Sequence, residues 1–403
     1  MPIFGSFNVL IPQEEYLQKW SVIACDQFTS QPEYWKELRT VIGDAPSALH
    51  CILPEAELCT VDGTQYNEIR DRMNEYLSSG IFREYTDSFV YVERTLQNGE
   101  VRRGIIGVID LEEYNFCSDS TSAIRATEKT VMERIPPRMK VRKDATLDFS
   151  HVLLLCDDER NEIVESLQVE AGFTVYDFDL LQGGGHIKGR IVNGDSAEKL
   201  RLRLDEYVAR KRKEHNGMVF SVGDGNHSLA SAKSCYEEMK KHCSDIQAIN
   251  SARYAVVELE NIRDRVQKFE PIHRIVYDVD VHDLLEYLQQ HYCTEGGYPI
   301  EWVDNNEFGT IYLDKQKGVL SIGVLQKALD SYLECYHGVL DYIHGDETLK
   351  ELTIKRNGIG FLLPSISIDD FFRSIVVDGV LPRKTFSMGD ACEKRYYLET
   401  RKL

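Results

Sequence analysis

SVGDGNHSLASAK, residues 221–233, reads as the end of a strand, a turn and the start of a helix. The residues before it, in MVFSVG (218–223), are apolar and favour extended backbone. After Ser228, the residues Leu229, Ala232, Tyr236 and Met239 recur at helical spacing. Between the two lie Asp224, Gly225, Asn226, His227 and Ser228. The first N–H groups of a helix have no intrahelical partner, and the helix dipole is positive there, so a phosphate or carboxylate is stabilised. Gly225 allows a tight turn and close approach of a ligand. Asn226, His227 and Ser228 can each offer a polar group to a bound anion. Asp224 opposes an anion unless it holds a metal, orients a hydroxyl or accepts a proton. Asp, Asn and Ser are also ordinary cap and turn residues, so these five positions alone support a structural turn and a ligand-binding turn about equally.

Working outward, apolar runs rich in strand formers recur at SFVYVERT (88–95), GIIGVIDL (104–111), HVLLLC (151–156), FTVYDFDL (173–180) and RYAVVELE (253–260). Helical patterns lie among them. Tyr66, Ile69, Met73, Tyr76 and Leu77 share a face, and Gly80 follows as a stop. Residues 196–215 form a charged amphipathic helix with Ser196 as expected N-cap, and further helices are expected at 283–292 and 325–343. Strands mixed with helices, without strict alternation, give an α+β (mixed α/β) class. The expected division is a core over 1–275 and a C-terminal α/β region over 276–403.

The chain has 403 residues, 42% of them hydrophobic, and a net charge of −19. The charge disfavours nucleic acid and anionic membrane as partners. Ten cysteines without a C-x-x-C pair, no expected signal peptide and no 18-residue apolar run point to a cytoplasmic protein with reduced thiols. Cys25 has no neighbouring His or cation in sequence to activate it.

Three further stretches carry candidate chemistry. Residues 112–150 read as a long, turn-rich loop around Pro136–Pro137, in which Arg125, Lys129, Arg134, Arg138, Lys140, Arg142 and Lys143 outnumber the acids. Arg134, Arg138 and Arg142 are the candidate phosphate clamp, weighed against a solvated surface. QGGGHIKGR (182–190) is not a phosphate loop of the G-x-x-x-x-G-K-[ST] type; it reads as a hairpin whose Gly184 and Gly185 admit substrate beside His186 and Lys188. In YDFD, Asp177 and Asp179 share a strand face and are the candidate Mg²⁺ ligands, with a solvated face as the bland alternative. Asp26 ends the apolar run WSVIAC and is the candidate general base, with Gln27 and Ser30 as substrate contacts.

GDGNHSLASAK resembles the signature of the family catalogued as domain of unknown function 1015. WSVIACDQFTSQPEYW (20–35), IRATEKTVMERIPPRMKVR (124–142), VYDFDLLQGGGHIKG (175–189) and LPRKTFSMGDACEKRYYLE (381–399) extend the resemblance along the chain. The turn is also similar to one in the ParB/sulfiredoxin-like fold, which holds nucleotide phosphates and includes free-serine kinases, although Ser228 stands where that superfamily has Arg. The resemblance implies a ParB/sulfiredoxin-like core with large additions and an ATP- or ADP-dependent, Mg²⁺-dependent kinase acting on a small hydroxylated metabolite such as free L-serine. On the kinase reading, Asp26, Asp224 and His227 are the candidate catalytic residues, and Gly225, Asn226, His227 and Ser228 the candidate nucleotide cradle. A nucleotide-binding regulator without turnover is the alternative. A homodimer is the first oligomeric state to test.

Overall fold

The computed structural model describes residues 2–61, 63–149, 152–266, 269–305, 307–389 and 391–403, with the side chains of Cys59 and Thr60 left aside. His151, the first residue of the expected strand 151–156, lies outside the described residues. The chain divides into two compact units. One comprises residues 1–126, 130–267 and 390–403; the other comprises 127–129 and 268–389. The class is mixed α/β.

The first unit is built on a large mixed sheet. Its strands run in the order Tyr114–Asn115, Ile124–Ala126, Phe220–Asp224, Leu153–Cys156, Tyr254–Asn261, Val101–Asp110, Phe82–Thr95, Phe7–Pro12, Thr400–Lys402 and Leu147–Phe149. The pairings 220–224 with 124–126 and 254–261 with 153–156 are parallel. Both faces are covered, which explains why the strands read as near-continuous apolar runs. Side chains alternate across a strand. Val90 and Val92 accordingly join Trp20, Trp35, Ile69 and Met73 on one face. Phe89 and Tyr91 join Leu200, Leu204, Tyr207 and Leu229 on the other. The second face carries the helices Gly194–Glu214 and Asn226–His242.

Residues 391–403 return to this sheet. Thr400–Lys402 inserts between Phe7–Pro12 and Leu147–Phe149, and Tyr396–Tyr397 pairs with Val22–Ile23. Trp20 donates its indole N–H to the Leu398 carbonyl at 3.1 Å. Arg395 is buried between Glu258 and Glu399, both at 2.6 Å.

The second unit has a sheet ordered Phe308–Leu313, Cys293–Val303, Ile359–Leu362, Phe269–Tyr277 and Val339–His344, and helices that include Val281–Tyr292, Ser321–Cys335 and Ile368–Asp378. Residues 127–129 belong to it through Leu381 N–H to Thr127 O at 2.6 Å and Thr385 N–H to Glu128 Oε1 at 3.1 Å. At the core of this unit, Arg274 is fully buried against Gln326 Oε1 at 2.7 Å and over the Tyr342 ring.

Three local expectations change. The helix expected over 325–343 ends at Cys335, and 339–344 is a strand paired with 272–277. Gly338 separates them, and a helix that continued would forfeit that pairing. Ser196 lies inside the first turn of its helix, where its hydroxyl donates to Glu170 O at 2.9 Å, and Asn193 is the N-cap. The basic stretch near Pro136–Pro137 is not a loop: Ile135–Lys143 is a helix with proline in its first turn. Proline has no N–H to contribute there, and its fixed φ suits the position.

Candidate functional site

The quoted turn has the form the sequence indicates. Phe220–Asp224 is a strand, Gly225 sits at φ +85°, and the helix Asn226–His242 begins at once. A left-handed φ is strained for any residue with a Cβ, so glycine at 225 is set by the turn itself. Asp224 Oδ1 accepts the Gly225 N–H at 3.0 Å. His227 Nε2 accepts the Val131 N–H at 3.1 Å, which places the proton of a neutral ring on Nδ1. Ser231 donates its hydroxyl to the His227 carbonyl at 2.7 Å.

Around Asp224 the fold assembles charges that are distant in sequence. Lys394 Nζ, from the returning segment, lies 3.9 Å from Asp224 Oδ2. The Asp224 carboxyl is held above its ordinary range, first by burial and further by the neighbouring charge of Asp26, while Lys394 opposes the rise. Asp26 and Asp224, 198 positions apart in sequence, are therefore electrostatic neighbours in the fold. Asp26 follows the short strand Val22–Ile23 and accepts Gln27 Nε2 at 3.1 Å. Phe28, two residues on, has φ +51° and stacks on Tyr34. Ser30 is exposed.

The basic helix contributes unequally. Arg138 is nearly buried, donates Nη2 to Glu55 Oε2 at 2.8 Å, and has its pKa raised: burial opposes its charge, but its surroundings, the Glu55 and Asp26 carboxylates among them, outweigh burial. Arg134 reaches Glu55 Oε1 at 3.2 Å and is half exposed. Arg142 borders the same cavity as Arg138 but pairs with a different carboxylate. Its fork closes on Asp148 at 2.7 and 3.1 Å, and Asp148 also takes Arg401 Nε at 3.2 Å, so its donors are spent on a buried structural cluster. A cavity of about 100 Å³ lies under the start of the helix, bordered by Cys25, Arg138, Ser228, Ser231 and Tyr397. Burial and the adjacent Asp26 push the Cys25 thiol up to about 11, so it is no nucleophile at neutral pH.

The Gly-rich segment is a hairpin joining Thr174–Asp179 to His186–Val192, with Gly183 at φ +76° and Gly185 at φ +79°. The Gly184 carbonyl accepts Arg94 Nε at 3.0 Å and Nη2 at 2.8 Å. A Cβ on Gly184 would meet the Tyr396 hydroxyl oxygen at 2.5 Å. Asp177 and Asp179 do share a face, but the hairpin itself compensates them. His186 Nε2 is 2.7 Å from Asp177, His186 Nδ1 is 2.7 Å from Asp179, and Lys188 Nζ is 3.0 Å from Asp177. The imidazole pKa is raised, first by its hydrogen bond to Asp179. Both nitrogens facing carboxylates favours the cationic ring, which takes the place a metal would have. Among the described residues, no group of three or more His, Cys, Asp or Glu side chains is disposed to hold a metal ion.

Lys394, Glu55, Arg94 and Arg102 escape a linear reading. Their side-chain partners lie 79 to 300 residues away, and the only sequence signal is charge inside otherwise apolar or turn-like stretches.

The model of the family described as protein of unknown function (DUF1015) matches residues 6–342. The chain belongs to this family. Comparison of this chain with curated proteins gave no match. Among solved structures, a free serine kinase in complex with ADP shares 11% identity at a TM-score of 0.40, covering 73% of this chain and 91% of that one. A conserved hypothetical protein from Pyrococcus furiosus shares 12% identity at a TM-score of 0.35, covering 73% and 94%. No helix among the described residues is long and apolar enough to cross a membrane.

Proposed function

We propose that this DUF1015 chain is a nucleotide-dependent small-molecule kinase that transfers a phosphoryl group to a hydroxyl. The observation that carries this reading is the meeting of Asp26 and Asp224 with Lys394 and Arg138 at the mouth of the helix Asn226–His242. Phosphoryl transfer asks a protein chiefly to position the reactants and neutralise spreading negative charge, and it asks for one carboxylate to receive the hydroxyl proton.

In this scheme, ATP or ADP places its phosphates against the first N–H groups of the helix, beside Gly225 and Ser228. The acceptor hydroxyl lies by Asp26, whose carboxylate takes its proton as the oxygen attacks. Asp224 orients that hydroxyl or a metal, and Arg138 and Lys394 counter the charge of the transferring group. A Mg²⁺ ion fits Asp224 better than the hairpin. Asp224 is a partly buried carboxylate lifted by a second carboxylate and offset by a single lysine at 3.9 Å, an electrostatic setting that a divalent cation with phosphate oxygens would relieve. Such an ion would supply charge neutralisation on the phosphate oxygens. Free L-serine as the acceptor rests on the likeness of the turn to that of ParB-fold serine kinases.

The test is incubation with ATP or ADP and a panel of hydroxylated metabolites including L-serine, followed by ³¹P NMR. A phosphomonoester that disappears with Asp26→Asn supports the scheme. Nucleotide binding without turnover under any acceptor favours the regulatory alternative.

A further inference from the structure

The strand Val101–Asp110 brings another guanidinium to the same end of the sheet. Arg102 is 7% exposed. Its Nε lies 2.9 Å from Glu260 Oε1, and its Nη1 donates to the Glu393 carbonyl at 2.8 Å. Its Nη2 is buried and has no hydrogen-bond partner among the described residues. A guanidinium N–H removed from water without an acceptor is costly, so such a group calls for an occupant.

The surroundings identify the kind of occupant. Arg94 stands directly across the ladder from Arg102. It is buried and held by the carbonyls of Gly184, Cys392, Glu393 and Lys394, with no carboxylate in ion-pair reach among the described residues. Burial and then the charge of Arg102 bring its pKa down to about 9. Lys394 follows Glu393 directly and faces Asp224, and Arg102 is itself one of the charges that act on the Asp224 carboxyl. Arg94, Arg102 and Lys394 thus share this corner with Glu260, Asp224, Asp26 and Glu258, and among these charges one buried guanidinium donor is left without an acceptor. The Gly-rich turn closes this group from behind through Gly184.

We infer that Arg102 Nη2 and Lys394 Nζ form a phosphate subsite beside Asp224, which on the kinase reading above receives the oxygens of the transferring phosphoryl group. Arg102 then joins the chemistry through charge and direction, and Arg94 is a positioning residue that fixes the backbone of 392–394 beneath it. A guanidinium presents N–H groups in a fixed plane and suits phosphate oxygens.

The probes are inorganic phosphate and ADP, titrated by calorimetry into the full chain. Arg102→Lys keeps a cation beside Glu260 but removes the Nη2 donor; Lys394→Met removes the second contact. Each is expected to weaken phosphate and ADP at least tenfold while the urea midpoint stays near that of wild type. Where Arg102→Lys does not fold, the double variant Arg102→Gln with Glu260→Gln removes both charges together and carries the same expectation. Wild type that binds neither probe, or variants that bind both as tightly as wild type, overturn the subsite. Phosphate binding that is lost in the variants, in a protein that phosphorylates no acceptor, keeps the subsite and overturns the kinase. Turnover in wild type with unaltered phosphate affinity in Arg102→Lys does the reverse.

Discussion

Replacing Asp224 by asparagine should leave the fold at least as stable while removing activity. The carboxyl makes two polar contacts, with the Gly225 N–H at 3.0 Å and with Lys394 at 3.9 Å. Asparagine keeps the first, because its Oδ1 accepts the same N–H. It loses the second, a long ion pair worth about 1 kcal/mol or less. Against that loss stands the strain on the carboxylate. Its pKa is raised by burial and then by Asp26. A carboxyl whose folded pKa lies above its unfolded value favours folding fully below the unfolded pKa, and that contribution is lost as pH rises through the folded pKa. Each unit of such a rise corresponds to about 1.4 kcal/mol. At pH 7 the wild type therefore carries a cost that the asparagine variant lacks. Urea denaturation of Asp224→Asn and wild type from pH 4 to 8 should show equal or greater stability for the variant at pH 7, with its relative advantage shrinking towards pH 4. Turnover in the same variant should fall by about a hundredfold or more. A variant less stable than wild type by over about 1 kcal/mol at pH 7, or an advantage that grows on acidification, would refute the reasoning.

Other expectations follow from the same geometry. Asp26→Asn should lower turnover by about 10²–10⁴ and leave nucleotide affinity unchanged by calorimetry, because its role begins with the hydroxyl proton. Arg142→Met strands Asp148 with Arg401 alone and should cost about 3–5 kcal/mol in chemical denaturation without a selective effect on nucleotide binding. Asp177→Asn with Asp179→Asn should shift stability by about 1 kcal/mol or less and leave any Mg²⁺ activation curve where it was, because His186 and Lys188 already answer those charges. A chain stopped after residue 389 loses the buried Tyr396, Tyr397 and Leu398, about 5–9 kcal/mol of apolar burial, and should fail to show a cooperative thermal transition.

The elements of the fold were legible where periodicity alone decides them. The turn at 225, the helix after it, the hairpin at 182–185 and the strands of the central sheet all carry a local signature. Residues 135–143 did not, because paired prolines and dense positive charge suggest a loop until the prolines are placed in the first turn of a helix. Strand 339–344 was hidden because VLDYIH follows a helix and needs its partner 272–277 to declare itself. At the site, Asp26 and Asp224 stood out because each ends an apolar run. For Asp177 and Asp179, shared sidedness on a strand is visible in sequence, but their pairing with His186 and Lys188 across the hairpin is not. Arg102 and Lys394 meet their partners only in the tertiary structure, and no local spacing announces such contacts.

The return of residues 391–403 to the first sheet has a bearing on biosynthesis. Translation delivers these residues after everything they pack against, and after the whole of 268–389 has emerged. Until then Arg94 has no carbonyls from 392–394, Glu258 has no Arg395, and Asp224 has no Lys394. A nascent chain thus holds a half-built sheet with buried-type charges exposed to water, and the proposed phosphate subsite is completed in the same step that completes the core. On the proposed reading, ligand affinity in a translation time course would therefore report the closing of the fold, and a half-made chain would bind no nucleotide prematurely.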